Sequence, residues 1–389
     1  MTSSAIAEPR TAAPTRTRPL AVCHVSMCLR TGGLERLLVE MARHTDTDRV
    51  SHRFAALAEL GPPADELRSL GFPVDTMGFD QSGGPLGKLT LIRRLRAHFR
   101  THRPDVVHAH NTYAHFYAAL AARLSGLRRP VVVCTQHGRG CGPNDTAVRQ
   151  FAMANRFTDR VLGVSEDAVA LCRDQDPAHA DRIVTLWNGV DVDRFAYSGP
   201  ADGLRLIAVS RLSPEKDVAT LLRAVAIARR DLPELTLAVV GDGVCRDDLE
   251  TLAEELAITD CVTFLGERSD VPALLAESSL FVSSSLTEGI SLTFLEAMGV
   301  GLPVLATRVG GNPEVIIPAG HESEAQTGEL VPSDDPEAFA QALTRMAQSR
   351  DQWATWGRSG RRRVETRFSL ARMIDDYAAL YEELVARDA

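Results

Sequence analysis

Thr287-Glu288-Gly289-Ile290-Ser291-Leu292-Thr293-Phe294-Leu295-Glu296-Ala297-Met298 follows a short apolar run, turns at a glycine and takes up helical spacing near Ser291. A strand that passes through a short turn into a helix is the unit from which parallel sheets are wound. The first amides of such a helix have no partner inside it, and with the dipole behind them they form a seat for phosphate. Glu288 stands before the helix and Glu296 about two turns inside it. Eight residues at ~1.5 Å each set the two carboxylates roughly 12 Å apart. That exceeds the ~5 to 9 Å of a glycoside hydrolase pair. It suits two carboxylates holding hydroxyls at opposite ends of one elongated ligand, with a diphosphate between. On this stretch alone, one acid near a helix start and another on its solvated face fits equally well.

The same alternation extends outward in both directions. The first half offers strands at Leu20–Ser26, Arg53–Leu57, Val106–Ala109, Val131–Thr135 and Val161–Val164, with helical segments at Leu34–Arg43, Leu86–Thr101 and Tyr113–Ser125. The pattern restarts with strands at Leu204–Val209, Leu235–Val240, Val262–Leu265, Leu280–Ser283 and Val304–Ala306. Turn formers in Tyr197–Gly203 mark the seam. The spacing predicts two Rossmann-like, doubly wound α/β domains, residues 20–197 and 203–367, facing each other across a cleft. Such folds take ligands at the carboxyl ends of their strands. In Phe368–Ala389, Met373, Ile374, Tyr377, Leu380, Tyr381 and Leu384 recur at helical spacing.

A length of 389 residues exceeds one typical core and agrees with two domains. The net charge of −8 argues against a dedicated nucleic-acid binder, which needs a cationic face to displace counterions. Seven cysteines, without CxxC or zinc spacing, lie mostly in apolar runs and point to a reducing, cytoplasmic setting. Residues 1–19, rich in Ser, Thr, Ala, Pro and Arg, read as a disordered leader. No uncharged apolar run reaches the ~18 residues of a membrane span.

Other segments add chemistry. Arg211 and Lys216 lie just after the first strand of the second domain, able to neutralise a diphosphate. Gly32-Gly33 links the first strand to the first helix and lets backbone approach a phosphate or sugar. Asp191-Val192-Asp193 has a metal-binding DxD form, but its place at the interdomain connection reads as loop chemistry. His108 and His110 share a strand face; with His115 they lack a third ligand of matching spacing, and a strand-end pair in the cleft is the preferred reading. Gly241-Asp242-Gly243 lacks the third glycine of a dinucleotide fingerprint. Leu91–Arg103 carries Arg93, Arg94, Arg96, Arg100 and Arg103 with no acid between Asp80 and Asp105. It is either a solvated face or a peripheral contact for an anionic membrane.

Together these pieces resemble the family-4 retaining glycosyltransferases of the GT-B fold. The resemblance rests on Gly32-Gly33, Thr135-Gln136-His137-Gly138, Asn188-Gly189-Val190-Asp191, Arg211 with Lys216, Gly241-Asp242-Gly243, Glu288-x7-Glu296 and Gly301-Leu302-Pro303-Val304. These run in the family's order from about residue 20 to 370. The resemblance implies that Glu288 holds donor-sugar hydroxyls, that the amides of Gly289, Ile290 and Ser291 meet the phosphate, and that Glu296 holds the ribose. Arg211 and Lys216 would stabilise the departing diphosphate, Gly33 would close over it, and His137 would line the sugar subsite. Gly241 joins the donor-binding set, main chain near Asp270 and Val271 would meet the base, and the C-terminal helix would cross back to the first domain. A nucleotide diphosphate sugar is then the co-substrate, with no cofactor and no metal. The acceptor stays open, its choice resting on the loop around Arg139–Asn144. A sugar-nucleotide epimerase or phosphorylase on the same fold is the first rival. A non-catalytic sugar-nucleotide-binding subunit is the second; it should have lost Lys216 or Glu288, and both are present. The implied place of action is the cytoplasm, with peripheral contact at the inner face of the membrane.

Overall fold

Two parallel sheets account for the alternation. The first contains β1 (Leu20–Ser26), β2 (Val50–Ala56), β3 (Val74–Thr76), β4 (Val106–His110), β5 (Val131–Gln136), β6 (Arg160–Gly163) and β7 (Ile183–Thr185). The second contains β8 (Arg205–Val209), β9 (Thr236–Val240), β10 (Val262–Gly266), β11 (Leu280–Ser283), β12 (Val304–Thr307) and β13 (Gly328–Val331). Their spatial orders are β3-β2-β1-β4-β5-β6-β7 and β10-β9-β8-β11-β12-β13. The computed structural model describes residues 18–126, 129–138 and 144–387. Residues 1–17 of the expected leader and 139–143 of the expected acceptor loop lie outside the described residues. Asn144 caps the next helix by accepting from the Ala147 amide.

Apolar residues flank each sheet on both faces, so the strands read as near-continuous apolar runs. The three strands that the sequence did not announce, β3, β7 and β13, are edge strands of three or four residues. So short a run gives no period to detect. Along the central strands the alternation places Val22 and His24, His52 and Phe54, and Val106 and His108 on one face. His24 stands opposite both Phe54 and His108.

The two connections between the domains run side by side. The Val190 amide donates to the Phe368 carbonyl and the Leu370 amide to the Val190 carbonyl, both at 2.9 Å. Only glycine fits at 189, where a Cβ would lie 2.4 Å from the Ser369 carbonyl oxygen. The last helix, Leu370–Arg387, starts two residues later than expected, because Phe368 is buried in the core of the second domain. Met373, Tyr377, Tyr381 and Leu384 pack into the core of the first. Among the described residues no helix is long and apolar enough to cross a membrane.

Candidate functional site

In each sheet the winding direction reverses beside the first strand, between β1 and β4 and between β8 and β11. Loops leaving the carboxyl ends of the strands diverge there and open a crevice. Gly32, Arg211–Lys216 and Ser284–Ser291 lie on these loops, and Gly33 opens the helix that follows β1.

Glu288 is the centre of the arrangement. Its Oε1 accepts from Lys216 Nζ at 2.6 Å and from Ser285 Oγ at 2.7 Å. The glutamate side chain is 8% exposed and the lysine 22%, so a charge that would be costly alone is paired and hydrogen-bonded. Backbone contacts fix the loop: the Leu286 amide donates to Glu215, Ser284 Oγ to the Asp217 carbonyl and Thr307 Oγ1 to the Ser285 carbonyl. Gly310, at φ 50°, comes so close that a Cβ would lie 1.8 Å from the Glu288 carbonyl oxygen. Ser285 and Gly310 carried no motif that singled them out in the sequence.

Ser291 is the N-cap of the Leu292–Val300 helix, but its hydroxyl pairs with Thr293 and does not close the first turn. No side chain caps the first turn, an arrangement in which helix amides are open to a partner from outside the helix. Gly289 presses on the first domain, where a Cβ would lie 2.7 Å from the His137 carbonyl oxygen and 2.9 Å from Val164 Cγ2. Ile290 is buried in the second core. Arg211 is exposed, and its guanidinium comes within 3.9 Å of the position a Gly32 Cβ would take. Burial raises the carboxyl of neighbouring Glu35, opposed by its own backbone hydrogen bond and by Arg211. Gly33 opens on empty space. Gly241, at φ 127°, lies where a Cβ would meet the Ser210 carbonyl oxygen at 1.9 Å, so it shapes the strand end that carries Arg211. Asp270 is bound to Arg268 through both carboxylate oxygens, and Val271 starts the short helix beside it.

Residues 31–194 match the family model described as Glycosyltransferase Family 4, and residues 191–363 the model described as Glycosyl transferases group 1. The chain belongs to the family-4 glycosyltransferases. It is 28% identical over 379 residues to a D-inositol 3-phosphate glycosyltransferase of Streptomyces scabiei, covering 86% of this chain and 83% of that one. It is 25% identical over 302 residues to the Escherichia coli UDP-Gal:alpha-D-GlcNAc-diphosphoundecaprenol alpha-1,3-galactosyltransferase, covering 72% and 76%. In fold it is similar to Anabaena HepE, solved with UDP-glucose, at TM-score 0.80 and 22% identity over 93% of this chain and 99% of that one.

Within this glycosyltransferase Glu296 stands apart from Glu288. The helix begins only at Leu292, so Glu296 is about one turn inside it and the separation of the two acids is not a helical rise. Its side chain lines a small cavity with Arg36, Glu40, Gly189 and Arg194. Burial pushes its carboxyl up to about 7, against the pull of Arg194 and Arg36. Its folded-state pKa is thus raised from an ordinary 4.5, and unfolding between 4.5 and 7 releases a proton. Stability contributed by this group is present below the lower value and is lost as pH rises through the upper one. Relative to Glu296→Gln, the wild-type thermal midpoint is expected to fall across that window and level off above it. Calorimetry on both proteins at a series of pH values reads this directly; a difference independent of pH would remove Glu296 from the account.

The histidine pair is not in the open cleft. His108 and His110 are 0% and 2% exposed, because residues of both neighbouring strands and the C-terminal helix cover that face. His115 lies on a helix and bonds Thr158. His24, His108 and His110 are near enough to hold an ion, but both ring nitrogens of each already have hydrogen-bond partners. Asp191 Oδ1 accepts from the amides of Asp193 and Arg194, a turn cap.

Proposed function

We propose that this glycosyltransferase moves a sugar, with retention of anomeric configuration, from a nucleotide diphosphate sugar to an acceptor hydroxyl without a divalent metal. The Lys216–Glu288–Ser285 cluster just ahead of a helix start, with Arg211 on the same loop as Lys216 and reaching toward Gly32 of the first domain, is the observation that carries the reading. Glu288 holds the sugar hydroxyls. Lys216, Arg211 and the amides of residues 289–291 take the charge that develops on the leaving diphosphate, the work a metal ion does elsewhere. Gly33 closes over the diphosphate, Glu296 holds the ribose, and main chain near Asp270 and Val271 meets the base. The acceptor oxygen forms its bond to the anomeric carbon on the face from which the phosphate oxygen departs, and the hydroxyl proton passes to that oxygen. Domain closure excludes the water that would hydrolyse the donor. The E. coli relative named for a UDP-Gal donor and HepE solved with UDP-glucose support a nucleotide sugar as donor.

The test is turnover of UDP-, GDP- and ADP-sugars with an acceptor panel in excess EDTA, with the new anomeric linkage assigned by NMR. Full activity and a retained linkage are expected. An inverted linkage, or loss of turnover restored by magnesium or manganese, would overturn the reading. Epimerised sugar or sugar phosphate formed without acceptor would favour the rival chemistries.

The same reading includes peripheral contact with an anionic bilayer through the Gly84–His102 helix. Leu86 is 79% exposed, and Leu89, Arg93 and Arg100 follow on the same face. Arg94 and Arg96 are less available than the sequence implied. Arg94 donates to the Met77 and Gly78 carbonyls and Arg96 to Leu124, because loops on either side bring bare carbonyls to them. Leu86→Ser with Arg93→Gln and Arg100→Gln is expected to weaken binding to anionic vesicles, most visibly at low salt, and to spare turnover on a soluble acceptor. Unchanged vesicle binding would return the helix to a solvated face.

A further inference from the structure

The first domain contains a chain of four imidazoles, of which only the last, His137, was expected at the sugar subsite. It starts at Thr45, whose hydroxyl donates to the Met41 carbonyl at 2.6 Å. Thr45 Oγ1 lies 3.0 Å from His52 Nε2, and His52 Nδ1 lies 2.9 Å from His24 Nε2. His24 Nδ1 is 3.0 Å from His110 Nε2, and His110 Nδ1 is 3.0 Å from His137 Nε2. The sheet builds this row: His52, His24 and His110 sit on one face of the neighbouring strands β2, β1 and β4, and His137 follows β5, the next in order.

His24, His52 and His110 are buried, and burial holds each below the ordinary histidine range, with adjacent imidazoles adding to the effect at His24 and His110. Burial lowers His137 to about 4. A neutral imidazole has one N–H and one lone pair. Thr45 has given its proton to a carbonyl, which can only accept, so its oxygen must receive the His52 Nε2–H. His52 Nδ1 is then bare and receives the His24 Nε2–H, and the same logic runs through His110 to His137. His137 therefore carries its proton on Nε2 and a lone pair on Nδ1. The carbonyl end has a second consequence. A proton driven down the chain finds no onward acceptor at Thr45, so the row sets polarity and does not conduct.

Groups beside the row leave that order intact. His108 bonds Tyr381 and Thr135, and Tyr377 bonds Thr135. Burial lowers His108 and raises both tyrosines, so all three are neutral. The His137 amide is held by Asn111 Oδ1 at 2.9 Å and its carbonyl meets Gly289, which fixes the residue at the cleft. Among the described residues its Nδ1 has no hydrogen-bond partner, and it is not one of the buried unpaired atoms.

We infer that His110, His24, His52 and Thr45 are positioning residues that hold His137 as the Nε2–H tautomer, so that its Nδ1 lone pair accepts a hydrogen bond from a hydroxyl of the bound sugar. The inference rests on the donor-site reading above and deepens it. A lone pair attracts a hydroxyl and repels a phosphate oxygen, so the row orients the donor with its sugar at His137 and its diphosphate toward Arg211 and Lys216.

Long-range proton–nitrogen correlation on ligand-free protein labelled with 15N-histidine tests the chain at neutral pH. His24, His52, His110 and His137 are expected as neutral Nε2–H forms. Thr45→Val removes only the oxygen that sets the polarity and keeps the side-chain shape. It is expected to give His137 a substantial Nδ1–H population and to lower kcat/KM about tenfold, the scale of one neutral hydrogen bond, with the thermal midpoint and circular dichroism close to wild type. A wild-type His137 that is cationic or Nδ1–H, or a folded Thr45→Val with an unchanged tautomer, would overturn the inference. Adding UDP-glucose tests the sugar contact: the Nδ1 resonance should move while the Nε2–H signal stays, and a saturated complex that leaves Nδ1 unmoved would end it. Absence of any complex with UDP-, GDP- or ADP-glucose would instead sink the donor-site reading, with the tautomer result standing by itself.

Discussion

Glu288→Gln is expected to lower kcat by about 10²-fold or more, taking one positioned polar contact at the reacting centre as ~3 kcal/mol. The replacement is nearly isosteric, and its amide oxygen can still accept from Lys216 and Ser285, so the loop keeps its fold. What disappears is the carboxylate that orients sugar hydroxyls beside the bond being broken, where small misplacements are felt in the transition state. Free nucleotide diphosphate should bind this variant almost normally. Glu296→Gln is expected to behave differently, raising the donor KM with kcat little changed, since the ribose contact is shared by ground and transition states. Calorimetric titration of each purified variant with UDP, GDP and ADP, beside steady-state kinetics and circular dichroism, separates the two. Equal and small effects would make both acids ordinary structure and remove the donor site.

The parts of the fold legible in the sequence were those with enough residues to show a period. Central strands such as Leu20–Ser26 and Leu280–Ser283 are found at their expected limits. The edge strands were too short to signal themselves. Contacts between distant residues were beyond any spacing argument: Lys216 and Glu288 are 72 positions apart, and only the β8–β11 adjacency brings their loops together. His108 and His110 were visible as a pair on one strand face, whereas joining His24 and His52 to them requires the order β2-β1-β4 and its register. Glu296 shows how sensitive a helical argument is to the start. Glu288 stands four residues ahead of the helix that begins at Leu292, so the eight residues to Glu296 are not one helical rise. In the sequence Arg94 and Arg96 stand with the other arginines of a basic segment, and the carbonyls that engage them come from separate loops.

Lys216→Ala is expected to have the largest effect of any single substitution, lowering kcat/KM by about 10³-fold. Two losses combine. The leaving diphosphate loses a cation, and Glu288, 8% exposed, is left with Ser285 as its remaining partner in a site that must accept a ligand of the same sign. Leaving one member of a buried pair uncompensated is more damaging than never having the pair. Arg211 does not fill the gap: it leaves the same strand end as Lys216 but lies exposed, with its guanidinium turned toward Gly32 of the first domain. Adding Glu288→Gln to Lys216→Ala removes the stranded charge and relieves the second loss. The double variant should therefore retain more activity than the product of the two single effects predicts, the signature of a coupled pair. Lys216→Arg should recover part of the activity, because it restores charge but presents a planar fork in place of a compact ammonium. An ion pair that serves only the fold predicts another pattern: equal falls in thermal midpoint for both single variants, and unchanged kcat in whatever protein remains folded. Kinetics and unfolding midpoints for the four proteins of the cycle distinguish the cases. Strictly multiplicative losses would show that Lys216 and Glu288 act apart, and the shared donor site built on their 2.6 Å contact would fall.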